Sequence, residues 1–142
     1  MPVPNPIVAV VREWVVKAEH DLINAAHTLK LGKDCPTDTV CFHAQQCVEK
    51  YIKALLVCRG TAFPKTHEIP VLRALLPPKV RPKLAAKIQD RLTAYAATHR
   101  YPGAGQELPL TEARQAVAVA RRVRNEVRRH LPLAALRRDK KK

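Results

Sequence analysis

The chain has 142 residues, 46% of them hydrophobic and only 4% aromatic. That is enough for one core built from aliphatic side chains and alanine, and too little for two ordinary domains. Four glycines argue against a turn-rich all-β protein, and the formal net charge of +14 makes polyanions the natural partner class.

The start, "MPVPNPIVAVVREW", lacks a charged leader segment, a long apolar run and a small-residue cleavage site, so no signal peptide is expected. No apolar run approaches the roughly 20 residues that span a bilayer. A cytoplasmic protein with no membrane association is the expectation. From about Pro6 to Leu31, Val11, Trp14, Val15, Ala18, Leu22, Ala25 and Leu29 fall on one helical stripe. Gly32 is placed to end that helix. "KDCPTD" reads as a loop whose Thr37 or Asp38 can cap a second helix, running to about Arg59 with Gly60 as its stop.

"TAFPKTHEIP" is an irregular connection, and "VLRALL" a short helical piece ended by two prolines. A third long helix is expected from about Arg81 to Thr98. "HRYPGAGQELP" is a Pro- and Gly-rich break. A fourth long helix runs from about Thr111 to His130, since Pro132 disfavours helical geometry at Leu131. No strand-like alternation and no internal repeat appear. The pattern predicts an all-α, four- to five-helix antiparallel up-and-down bundle. Trp14, Leu22, Val48, Ile52 and Leu55 belong to its expected core. Residues 1–136 are expected to form one helical domain and 137–142 a basic tail. From Thr111 to Lys142, eleven Lys and Arg face three Asp and Glu, which supplies +8 of the net charge. This is either a solvated basic face or an anion-binding one.

Cys35, Cys41, Cys47 and Cys58 contain no CxxC pair. A chain without secretion signals is not a disulfide scaffold, so they read as reduced, buried small hydrophobes. His43 and Cys47 are four apart but lack a second ligand pair, so no metal site and no cofactor are expected.

The second helix poses the main question. Its apolar residues Cys41, Ala44, Val48, Tyr51, Ile52, Leu55 and Leu56 cover a broad face. His43, Gln46, Lys50 and Lys53 recur at steps of 3, 4 and 3, with Glu49 beside them, and span roughly 80° of arc. Either this seam is the wet side of the helix, its lysines solvated, or it faces a groove where two ammonium groups meet phosphate and His43 exchanges a proton.

The ordered series "AEHDLINAAHTL", "CFHAQQCVEKYIKALLVCRG", "PKTHEIPVLRALL" and "HRYP" resembles the HEPN domain, from about Val11 to Leu131. The resemblance implies a helical bundle, usually a homodimer, with the polar seam near the dimer groove. It also implies a setting beside a minimal nucleotidyltransferase, the two forming a toxin–antitoxin pair. Some HEPN domains are thought to bind nucleotides; others are metal-independent ribonucleases using an Arg–polar–x(3–5)–His motif, two copies of which form one composite site.

"RNEVRRH" matches that motif with Arg124, Asn125 and His130. The expected function is therefore a HEPN toxin acting as a metal-independent endoribonuclease. The alternative is a non-enzymatic HEPN module that binds nucleotide or nucleic acid, or docks a nucleotidyltransferase partner. An imidazole suits proton transfer and a guanidinium suits developing phosphate charge. On the bland reading, His130 is a cation at a helix C-terminus. His43, Gln46, Lys50, Lys53, Lys65, His67, Arg100 and Tyr101 are the candidate nucleotide- or RNA-binding residues. For the last four the alternative roles are helix entry, helix exit and loop packing.

Overall fold

In a computed structural model, residues 3–103 and 107–137 are described, apart from the side chain of Arg100. Among the described residues six helices follow in chain order: α1 (Asn5–Leu29), α2 (Thr37–Cys58), α3 (Ile69–Ala74), α4 (Ala86–Ala96), α5 (Leu110–Arg128) and α6 (Leu133–Leu136). Short 3-10 turns lie at Gly32–Asp34, Pro78–Val80 and Thr98–Arg100. No strand occurs among the described residues. The all-α bundle expected from periodicity is what forms, with α1, α2, α4 and α5 as its long members. Among the described residues no helix is long and apolar enough to cross a membrane.

The first helix buries Val8, Val11, Val15, Ala18, Leu22 and Ala25, a stripe stepping 3, 4, 3, 4, 3. α2 is different in kind. It packs against α1, α3, α4 and α5, and fifteen of its 22 residues are buried, so it is the central helix and needs partners on every side. It ends as the sequence indicates. Gly60 has φ +70°, its N–H bonds to Val57 O, and the N–H of Thr61 bonds to Leu56 O. That is the paired pattern of a Schellman stop.

Three local expectations need correction. Thr37 does not cap α2: the helix begins at Thr37 after Pro36, and the Thr37 hydroxyl donates to Leu108 O at 2.6 Å, tying the approach to α5. The helix expected from Arg81 to Thr98 is only Ala86–Ala96. Pro82 disfavours helix at Arg81, which is extended, and the Arg81 guanidinium instead donates to Leu76 O and Ala74 O at the end of α3. Trp14 is half-buried rather than buried, edge-on to Phe63 with ring centroids 6.2 Å apart. Leu22, Val48, Ile52 and Leu55 lie in the core as expected. Of the tail expected at 137–142, residues after Arg137 lie outside the described residues.

Candidate functional site

The polar seam of α2 is not a wet surface. Asp21, buried on α1, receives His43 Nδ1 at 2.8 Å on one carboxylate oxygen and Lys50 Nζ at 2.6 Å on the other. Further along, the Glu49 carboxylate is 3% exposed. It accepts from Lys53 Nζ at 2.9 Å and Gln45 Nε2 at 2.9 Å, and lies 2.7 Å from His67 Nδ1. Gln46 Nε2 donates to Gln45 Oε1 at 2.7 Å. The Lys53 ammonium also lies over the rings of Trp14 and Phe63, 5.7 and 5.6 Å from their centroids.

Buried charge is tolerable only when paired and hydrogen-bonded, and here each lysine of the seam has a carboxylate inside the chain. Burial alone would push the Glu49 carboxyl up. The bonds from Lys53, Gln45 and His67 outweigh it and hold the group below the usual carboxylate range. As the chain stands, Lys50 and Lys53 direct their charge to Asp21 and Glu49 and hold α1, α2 and the connection before α3 together.

A second polar cluster joins three helices. Glu19 Oε2 on α1 accepts from the Tyr51 hydroxyl of α2 at 2.7 Å and from Arg124 Nε of α5 at 2.8 Å. Arg128 Nη1, one turn further along α5, donates to the Tyr51 oxygen at 3.2 Å. Arg124 Nη1 donates to its neighbour Asn125 Oδ1 at 3.0 Å. Burial raises Glu19, but the bonds from Arg124 and Tyr51 and the charges of Arg124 and Arg128 bring it below its ordinary value. The bond to Glu19 in turn pushes the Arg124 guanidinium upward. Burial and the neighbouring Glu19 push the Tyr51 phenol well up, so it stays a neutral donor.

This cluster lies at a groove. A hollow of about 490 Å³ is lined by Arg12, Glu19, His20, Arg124, Arg128 and Arg137 over an aliphatic floor. A second hollow of about 350 Å³ shares Glu19, Ile23 and Arg124 with it and reaches Asn125 and Arg121. Arg12 also donates to Ala134 O at 2.6 Å, which fixes α6 as one wall. Among the described residues, four arginines against one carboxylate make the larger hollow strongly cationic.

The structure thus brings Arg124 and Asn125 together but leaves His130 apart from both hollows' walls. α5 ends at Arg128, and His130 is exposed in the turn beyond it. His43 and Lys50 meet at Asp21, whereas Lys53, His67 and, through Gln45, Gln46 gather at Glu49. Lys65 is exposed. Thr66 Oγ1 accepts from Glu68 N just ahead of α3. Tyr101 is 63% exposed, and the Arg100 side chain lies outside the described residues.

Cys35, Cys41 and Cys47 are buried and Cys58 half-buried, all free thiols. Burial pushes Cys41 up to about 12 and Cys47 higher still. Among the described residues no group of three or more His, Cys, Asp or Glu is placed to hold a metal ion.

Sequence reasoning missed Arg12, Glu19, His20, Tyr51 and Arg128. Periodicity gave Tyr51 to the apolar face, where its ring does lie, and could not say that its hydroxyl reaches a carboxylate. The available signal was Glu19 and Asp21 flanking the inward stripe of Ala18 and Leu22 in an otherwise basic chain: acidic residues beside a buried stripe need cations across the interface.

A family model for the HEPN domain matches residues 11–130. The crystal structure of TT1696 from Thermus thermophilus is similar to this chain at 30% identity, covering 85% of this chain and 98% of that one, with a TM-score of 0.68. No curated protein matches. The match over nearly the whole helical region, together with the buried seam of α2 and the bundle that holds it, gives the family: the chain belongs to the HEPN domain proteins.

Proposed function

We propose that this HEPN protein is a metal-independent endoribonuclease, the toxin of a HEPN–nucleotidyltransferase pair, and that two copies of the chain complete its site. The observation that carries this reading is on α5. Arg124 and Asn125 are bonded to one another at the wall of a cationic groove, and the same helix ends just ahead of an exposed imidazole at His130.

On an ideal helix, residues six apart point about 120° apart. His130 is released from that constraint because it lies beyond the last helical residue. In this mechanism His130 takes the proton of a 2′-hydroxyl, and the 2′-oxygen attacks the adjacent phosphorus. Arg124 bears the charge that gathers on the phosphoryl oxygens, while Asn125 holds the guanidinium in place. The bond from phosphorus to the 5′-oxygen breaks, and that oxygen takes a proton from the imidazolium of the second copy. The products are a 2′,3′-cyclic phosphate and a 5′-hydroxyl. A symmetric homodimer supplies both imidazoles because a two-fold interface presents the same residues twice.

A second reading is a HEPN module that binds RNA or nucleotide, or docks the nucleotidyltransferase, without cleaving. It is favoured by the Glu19–Arg124 bond, which gives the arginine a carboxylate partner within the chain, and by the placing of His20 rather than His130 at the groove. Incubating the purified chain, freed of any antitoxin, with a panel of RNAs in EDTA separates the two. Cyclic-phosphate products support the ribonuclease, and an intact panel leaves the binding module.

A further inference from the structure

Glu19 presents a contradiction in charge. It is a carboxylate in the wall of a groove lined, among the described residues, by four arginines, and an anion-binding groove is weakened by a fixed negative charge. On Coulomb's law alone, its removal should strengthen the binding of any polyanion.

Its bonds suggest the opposite role. A guanidinium carries five N–H donors in a rigid fork. Glu19 takes the Nε donor of Arg124 and Asn125 takes one Nη1 donor, which fixes the fork and leaves the remaining donors without these partners. Tyr51 donates to the same Glu19 oxygen and accepts from Arg128 Nη1, so the second guanidinium is held through the first carboxylate. Arg124 and Arg128 are four apart on α5, where like charges repel and would splay in solvent. The Glu19–Tyr51 pair holds them on one face, spaced to meet one phosphate through several charge-assisted bonds.

We propose that Glu19 and Tyr51 are positioning residues that hold Arg124 and Arg128 as a preorganised receptor for a single phosphate group of a nucleotide or RNA strand. This rests on the nucleic-acid reading of the groove and deepens it: the carboxylate raises affinity for an anion by ordering the cations, and that gain exceeds its own repulsion.

The experiment measures fluorescence anisotropy of a fluorescein-labelled single-stranded RNA oligonucleotide at about 0.1 M salt, where surface charge beyond roughly 10 Å is screened. The full chain carries His130→Ala so that the oligonucleotide is not consumed. Glu19→Ala should weaken binding about tenfold, one charge-assisted contact's worth, although it removes a negative charge. Glu19→Gln, which keeps an acceptor oxygen, should restore part of that affinity. Tyr51→Phe and Arg128→Ala should each weaken binding and be non-additive together, because both remove the same held guanidinium.

Binding that is unchanged or tighter in folded Glu19→Ala overturns the proposal. If Glu19→Ala does not fold, the Tyr51→Phe/Arg128→Ala cycle decides, and strict additivity overturns it. A wild type that binds in this pattern yet leaves RNA intact removes the ribonuclease reading and leaves the receptor standing.

Discussion

Glu19 and Arg124 stand 105 positions apart in the chain and 2.8 Å apart in the fold. The bond ties α1 to α5 across the face of α2 and sets which donors of Arg124 remain for a ligand. It therefore joins the stability of the bundle to the chemistry proposed for its groove.

The Lys53–Glu49 pair is the most deeply buried charge pair among the described residues, with side chains 9% and 3% exposed. Glu49→Ala leaves an ammonium buried without its carboxylate and should cost about 3–5 kcal/mol. Denaturant titration measures it. Adding Lys53→Met should recover much of the loss, because an apolar side chain of similar length removes the unpaired charge; a double variant no more stable than Glu49→Ala would contradict the pairing.

Acid should loosen the same network. The Glu49 and Glu19 carboxyls both lie below their ordinary value of 4.5. Their contribution to stability is therefore complete above pH 4.5 and is lost as pH falls through the lower folded values. Urea midpoints should hold steady from pH 7 to about 5, then fall. Glu49→Gln should be less stable at neutral pH and show a shallower acid decline.

The thiols should separate by access. Cys58 is half-buried while Cys35, Cys41 and Cys47 are buried, and Cys41 is pushed up to about 12, so its thiolate is scarce at neutral pH. A disulfide reagent should label Cys58 first on the native chain and the other three only with unfolding. Rapid labelling of Cys47 in native protein would place α2 elsewhere than the core.

Dimer formation is testable through α1. Ile23 is 59% exposed and Val16 43% exposed, both at the groove that the composite site would use. Sedimentation should show a dimer at tens of micromolar, roughly the range expected of a standard-size interface, and Ile23→Glu should shift it to monomer. A wild type that sediments only as monomer counts against the composite site.

Much of the fold was legible because the signals were local. The 3- and 4-residue steps of Val11, Val15, Ala18 and Leu22 fix the inward stripe of α1, and Gly60 closes α2 by the left-handed geometry it tolerates. The start of α4 was misplaced because the extended stretch around Arg81 depends on Pro82 and on carbonyls at the end of α3. The seam of α2 was visible as a pattern, but its direction was not: His43 and Lys50 turn inward because Asp21 waits on another helix. The partners of Glu19 and Tyr51 were illegible for the same reason. Their significance is a distance between helices, and helical periodicity carries no such distance.

Cleavage by Arg124 of α5 and His130 just beyond it is decided by a single assay. Wild-type chain, Arg124→Ala and His130→Ala are incubated with the same RNA panel in EDTA, and the new ends are identified chemically. Wild type should cleave to 2′,3′-cyclic phosphate and 5′-hydroxyl ends. Each substitution should lower the rate by about 10²-fold or more, as loss of an acid–base group or a phosphate-stabilising cation does, with the circular dichroism of the fold unchanged. RNA left whole by the wild type, or cleaved equally well by both variants, contradicts the claim.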